Sequence, residues 1–329
     1  MIVPVEELQV GMFVEVPLSW HEHPFLKNSF LITSEEEIKK FQDLGIDKVV
    51  VDPSRSRIKR TVSSPPEGEP KKDAEEENVT VLPPELLSSI HDRGLPAEKK
   101  ARLVVTHSIT MMQKMLEKPT AQRIAEAKKG IAEIVNLILT DDNTTYYLLN
   151  ITTHDFYTYT HSVNVGVLGV ALAKALFRNS SDHDLQALGA GFFLHDLGKV
   201  KVPSEIINKP AALTEEEMRL MRRHPADGYK ILVETRQLTE EARVIVLQHH
   251  ERSDGTGYPR GLRKEEIHLY ARLCTLADVY DALTSERPYK KKLAAFEALK
   301  LMRAEMLHHF QAELFEKFVL MFRKPIHGC

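Results

Sequence analysis

Seven residues between positions 161 and 278 can hold metal ions: His161, the pair His195-Asp196, His224, the pair His249-His250, and Asp278. His195-Asp196 closes the apolar run Gly189 to Leu194, and Asp278 lies inside the apolar stretch Leu273 to Leu283. A buried carboxylate or imidazole without a partner is costly, and a metal ion is one standard solution. Five imidazoles and two carboxylates exceed the four ligands of one tetrahedral zinc site. They suit two octahedral ions that share a carboxylate. A nitrogen and oxygen donor set without thiolate favours iron or manganese over structural zinc. Paired metals about 3.5–4 Å apart are the usual arrangement for attack of water on phosphorus. Any one of these histidines alone reads more readily as a hydrogen-bonded core residue. Two adjacent pairs with three further ligands outweigh that reading. His21, His23, His91, His107, His183, His268, His308, His309 and His327 have no such company and are assigned no role.

Three neighbouring features add to this set. Lys199 follows Asp196 by three residues, which on a helix would place it beside His195 and Asp196. The loop Asp254 to Gly261 carries Gly255, Gly257 and Gly261, which let the backbone turn sharply and approach a ligand closely. In it, Tyr258-Pro259 offers a ring to stack on a base, and Arg260 a charge for phosphate. Past Asp278, Arg287 and Lys290 present a fork donor and a point charge suited to a phosphate clamp. A solvated basic helix start, running on to Lys291 and Lys292, fits those two residues equally well.

The elements that must position these groups are mostly helices. The chain has 329 residues and a formal net charge of −3, so electrostatics gives no argument for a nucleic-acid polymer as partner. Two cysteines, Cys274 and Cys329, make no disulfide framework, and Cys274 reads as a core residue. No run reaches the roughly 18 uninterrupted apolar residues of a membrane span. Val163 to Phe177 is the longest candidate and carries Asn164 and Lys174. The chain reads as a soluble cytoplasmic protein.

Residues 1–53 form a small α+β module. Its strands are predicted around Val14 to Leu18, Phe30 to Ile32 and Val49 to Val51, with a helix opening at Ser34-Glu35 and stopping at Gly45. Residues 54–82, rich in proline and charge, read as a disordered linker. Residues 83–139 form a helical connector, with helices over 97–118 and 121–139. Their apolar faces suit either a homodimer contact or a plain core. Residues 140–329 read as an all-α domain, so the fold class is mainly α.

Together these blocks resemble the HD-GYP family, a branch of the HD-domain phosphohydrolases. The likeness spans about residues 140–325. It rests on Asp155 to Ser162, His195-Asp196-Leu197-Gly198-Lys199-Val200, His224-Pro225, His249-His250-Glu251-Arg252 leading to Gly257-Tyr258-Pro259, and Asp278-Val279-Tyr280-Asp281-Ala282-Leu283-Thr284. Residues 1–53 are similar to the small domain that often precedes HD-GYP domains, through Val10 to Val14, Trp20, His23-Pro24-Phe25 and Gly45 to Val49.

The resemblance implies a helical HD bundle and a phosphodiesterase for the second messenger cyclic di-GMP, giving the linear dinucleotide or GMP. Alternatives are action on another cyclic dinucleotide and a weakly active cyclic di-GMP receptor that signals to protein partners. By the same analogy His161, His195, Asp196 and Asp278 complete the common HD metal site. His224, His249 and His250 add the second ion, and Asp196 bridges. Lys199, Arg287 and Lys290 would hold phosphate oxygens, with Gly257, Tyr258 and Pro259 lining the ligand. Lys199 would stabilise the reacting phosphate or protonate the leaving oxygen, making it catalytic alongside Asp196. Tyr157 stands where some relatives carry a glutamate for a third ion, so two are expected. Ser253 is small where relatives often have a bulky residue, which implies a looser loop or altered base recognition.

Overall fold

A computed structural model describes residues 2–15, 29–43, 46, 48–52, 56, 80–151, 158–178, 180–209, 211–285 and 292–323. The chain divides into two compact units, Met1–Glu76 and Glu77–Cys329. In the first, strands β1 (Ile2–Pro4), β2 (Phe13–Glu15), β3 (Ser29–Leu31) and β4 (Lys48–Asp52) form an antiparallel sheet in the order β1-β4-β2-β3. Helix α1 (Glu35–Asp43) opens on three glutamates, which complement the positive end of the helix dipole. In β4 Val49 and Val51 are buried while Lys48 and Val50 are exposed, the alternation of a strand with one face on a core. Val3, Val14, Val49, Val51 and Phe41 fill that core. β1 is an addition to the strands expected from sequence: three residues ending in proline carry too little alternation to be seen. Val16, Leu18 and Gly45 lie outside the described residues, as do residues 57–79 of the linker segment.

The second unit is helical: α2 (Pro84–His91), α3 (Ala97–Glu117), α4 (Ala121–Thr140), α5 (Asp142–Asn150), α6 (Thr158–Phe177), α7 (Leu185–Leu194), α8 (Ser204–Ile207), α9 (Glu215–Met221), α10 (His224–Glu234), α11 (Glu240–Gln248), α12 (Leu269–Thr284), α13 (Ala295–Glu305) and α14 (Ala312–Leu320). Val81 and the apolar faces of α2, α3 and α4 belong to the same core as α6, α7, α11 and α12. Residues 83–139 are thus continuous with the bundle that carries the site, and their apolar faces are covered within the chain.

Helix α6 is the spine, packed against α7, α12, α3 and α4. It has the length and apolar composition of a membrane span, yet 78% of its apolar window is buried inside the protein. A helix apolar on all sides is what the middle of a bundle requires. His161 sits in its first turns.

Candidate metal centre

Five segments converge on the centre. His161 comes from α6, His195 caps the C-terminus of α7, His224 opens α10, His249 caps α11 with His250 next, and Asp278 comes from α12. His161, His195, Asp196, His224 and His249 are all buried. All seven residues singled out from the sequence meet. One cluster holds His161, His195 and Asp278; the other holds Asp196, His224, His249 and His250. Within each, the potential ligand atoms lie within 4.8 Å of one another.

Asp196 stands between the two clusters. Its Oδ2 is 3.4 Å from His161 Nε2 and 3.4 Å from His195 Nε2. Its Oδ1 is 3.2 Å from His224 Nε2 and 3.7 Å from His249 Nε2. Asp278 spans them as well, with Oδ1 3.2 Å from His161 Nε2 and Oδ2 3.7 Å from His250 Nδ1. Asp196 Oδ1 is buried and has no hydrogen-bond partner among the described residues. An orphaned carboxylate oxygen facing imidazole nitrogens is costly in a protein interior and is the coordination a cation would complete.

The outer ring nitrogens reinforce this reading. His195 Nδ1 donates to the Phe192 carbonyl at 2.8 Å, and His224 Nδ1 to the Met221 carbonyl at 2.8 Å. His249 Nδ1 faces the carbonyls of Ile245 and Val246 at 3.1 and 3.0 Å. A carbonyl can only accept, so each Nδ1 carries the proton and each Nε2 turns its lone pair inward. Yet the Nε2 atoms of His224 and His249 lie 3.2 Å apart. Lone pairs that face each other repel unless something positive lies between them.

The electrostatics point the same way. Burial pushes His224 down to about 3 and also lowers His195 and His250, which keeps these rings neutral. Burial alone would raise Asp196, but Lys199, His195 and His161 outweigh it and hold the carboxyl well below its usual range. Burial is outweighed at Asp278 too, mainly by His161. For His161, burial opposes the charge, while Asp196, Asp278 and Asp281 raise it well above the ordinary histidine range. The neutral imidazoles of His195, His224 and His250 beside ionised carboxylates are ligands ready for a divalent ion, which would replace the proton that the carboxylates hold on His161. The buried histidine and aspartate clusters are consistent with a metal centre.

Lys199 does not lie on an α-helix. Asp196 caps a 3₁₀ turn, Leu197–Lys201, in which residues i and i+3 eclipse. The Lys199 ammonium consequently sits directly on Asp196 Oδ2. Within this turn Gly198 abuts α10: a Cβ there would overlap the His224 carbonyl oxygen and lie 2.5 Å from the Gly228 nitrogen. The absent side chain is what brings Asp196 beside His224.

The loop after α11 is held from beneath. Glu251, 1% exposed, accepts hydrogen bonds from the N–H groups of Arg260 at 2.7 Å and Leu262 at 2.9 Å. Gly257 passes so close to the chain that a Cβ would lie 2.5 Å from Glu251 Cα and 2.6 Å from the His250 carbonyl. Tyr258 stacks on His250, ring centroids 4.6 Å apart at 27°. The Arg222 guanidinium lies 5.5 Å from the same ring's centroid. Tyr258 is thus already in contact with a ring and a guanidinium beside the clusters. Burial, with Asp196 and Asp278, pushes its phenol up, so it stays a hydrogen-bond donor. Pro259 and Arg260 are exposed. The Ser253 hydroxyl donates to the His309 carbonyl at 3.2 Å. Tyr157, Arg287 and Lys290 lie outside the described residues. Cys274 is fully buried in α12.

Two functional residues escape the sequence reading. Asp281 Oδ2 receives His161 Nδ1 at 2.6 Å, while Asn164 and the Ser285 hydroxyl donate to Oδ1 at 2.7 and 3.0 Å. Its only sequence signal is a position one turn past Asp278 on an apolar helix. Losing such an outer partner typically weakens a metal site about 10- to 100-fold. Asp281→Asn should weaken metal binding by about that factor while the protein stays folded, as read by metal titration alongside circular dichroism. Glu251 is the second. Glu251→Gln would aim an amide N–H₂ at backbone N–H donors, costing about 1.5–3 kcal/mol. Amides in residues 252–262 should then exchange with deuterium measurably faster, and those of α6 should not.

Comparison with known proteins agrees with this geometry. A family model described as "HD domain" matches residues 146–314, and one described as a domain of unknown function, DUF3391, matches residues 1–138. A cyclic di-GMP phosphodiesterase of Pseudomonas aeruginosa is 36% identical over 96% of this chain and 75% of its own length. A 3′3′-cGAMP-specific phosphodiesterase of Vibrio cholerae is 41% identical over 46% of this chain and 32% of its own. Among solved structures, an HDG"Y"P protein from Bdellovibrio bacteriovorus matches with a TM-score of 0.62 at 18% identity, covering 97% of each chain. The helical core, the two His/Asp clusters and the matched segments have one common account: the chain belongs to the HD-domain family, with a DUF3391 region ahead of the helices that hold the clusters.

Proposed function

We propose that this protein is a cytoplasmic, metal-dependent phosphodiesterase that hydrolyses cyclic di-GMP to the linear dinucleotide pGpG, GMP or both. The observation that carries the metal chemistry is Asp196, one carboxylate reaching both clusters and left with an orphaned oxygen. Two divalent ions, iron or manganese, would be held by His161, His195 and Asp278 on one side and by His224, His249 and His250 on the other. Asp196 would serve both. When bound, such ions activate water for attack and neutralise charge on the phosphate.

The chain's own groups do the rest. Lys199, against Asp196, is placed to hold a non-bridging phosphate oxygen or to give a proton to the leaving 3′-oxygen. Tyr258, stacked on His250, would lie near the ligand. Gly257 and Pro259 shape the loop beside it, and Arg287 and Lys290 remain the candidates for the second phosphate clamp. The substrate assignment draws on the Pseudomonas relative, which aligns with nearly the whole chain. The Vibrio relative motivates a second reading, action on a mixed cyclic dinucleotide.

One assay decides between them. Purified protein loaded with Mn(II) or Fe(II) is given cyclic di-GMP and 3′3′-cGAMP, and products are separated by chromatography. Faster turnover of cyclic di-GMP is expected. Preference for the mixed dinucleotide would transfer the assignment, and binding without products would make the protein a receptor.

A further inference from the structure

Where the loop after α11 meets the end of α13, a second set of donors gathers away from the buried centre. Asp254, His308 and His309 each offer a ligand atom, all within 4.8 Å of one another. His308 and His309 lie in the 3₁₀ turn Leu307–His309, their ring centroids 4.0 Å apart. His309 Nε2 is 3.4 Å from Asp254 Oδ2. Asp254 is oriented for this contact: the N–H and hydroxyl of Thr256 donate to its Oδ1 at 2.9 and 2.7 Å, leaving Oδ2 toward the histidines. The Ser253 hydroxyl bonds to the His309 carbonyl, so loop and turn are already in register. Hydrogen bonds from Thr256 hold Asp254 below the usual carboxylate range, and burial with the neighbouring His308 lowers His309. The set is one carboxylate and two imidazoles.

We propose that Asp254, His308 and His309 bind a divalent transition ion of the zinc class, and that this ion clamps the Gly-Tyr-Pro loop to the turn after α13. Two imidazoles and one carboxylate, open to solvent for further ligands, are a donor set that zinc takes. Magnesium and calcium prefer oxygen-rich cages. The clamp would act on the active site through the loop, since Asp254 follows His250 by four residues and Tyr258 follows Asp254 by four. The assignment does not depend on which dinucleotide the buried centre cleaves.

The test uses the full-length protein saturated with zinc, desalted and analysed for zinc per chain. Wild type should retain one equivalent more than His308→Gln/His309→Gln, since the buried centre is the same in both. Equal zinc in the two folded proteins would overturn the site. Should the double variant fail to fold, His308→Gln alone decides, because His308 is exposed. Loss of one ligand should weaken the extra site about tenfold or more in competition with a chromogenic chelator, and unchanged affinity would overturn it. The clamp is read separately. Zinc should slow tryptic cleavage at the exposed Arg252 and Arg260 in wild type more than in Asp254→Asn, and equal protection would overturn the clamp.

Discussion

Asp196→Asn is expected to empty both clusters and to lower hydrolysis by about three orders of magnitude or more. Volume hardly changes, so the bundle should fold. What changes is the inward-facing chemistry. In place of a carboxylate that reaches His161 and His195 with one oxygen and His224 and His249 with the other, the variant has a neutral amide with one donor end. That end can hydrogen-bond an imidazole Nε2 but cannot hold a cation. Because one side chain serves both clusters, the loss should extend to both ions. Elemental analysis of the folded variant is the measurement, and retention of two metals per chain would remove Asp196 from its bridging position.

Gly198→Ala should be nearly as damaging through sterics alone. The new methyl group would overlap the His224 carbonyl and press on the Gly228 nitrogen. Both are backbone atoms of α10, and no rotamer can move them away. Forcing atoms into such a contact costs about 3 kcal/mol, which for a unit of this size lowers the melting temperature by about 6–12 °C. The relief available is to part the 3₁₀ turn from α10, which carries Asp196 away from His224. Metal content should fall together with stability, whereas a surface substitution such as Lys201→Ala, on the same turn, should leave both unchanged. Thermal unfolding without metal, followed by metal titration of the native variant, separates the two effects.

The residues of the two clusters are legible because they break a local rule: ionisable side chains at the edges of apolar runs need a reason to be there. Asp281 breaks the same rule, but its reason is His161, 120 positions earlier, and no spacing along α12 reveals it. Glu251 was visible as part of a motif but not as a brace, since its partners are the backbone N–H groups of Arg260 and Leu262, identical in every residue but proline. That Tyr258 stacks on His250 could not be read either, since it lies eight positions further along a loop and that spacing fixes no ring orientation. Helix extents came through where periodicity was strong, as at α3 and α4. Helix α12 begins earlier than its apolar run, at Leu269, because His268 caps it by accepting the Tyr270 N–H. Lys199 lands beside Asp196 either way, since a spacing of three serves an α-helix and a 3₁₀ turn alike.

The convergence of α6, the end of α7, α10, the end of α11 and α12 on one point also gives the centre a part in holding the chain together. An ion bound there ties distant stretches as a cross-link does, but reversibly and in proportion to its supply. At a free-ion concentration about a hundredfold above its dissociation constant, it would add about 2.7 kcal/mol to the native state. The melting temperature would then track metal concentration, and chain starved of metal would unfold and be degraded faster. Through this linkage, metal scarcity would reduce the amount of the enzyme as well as its turnover.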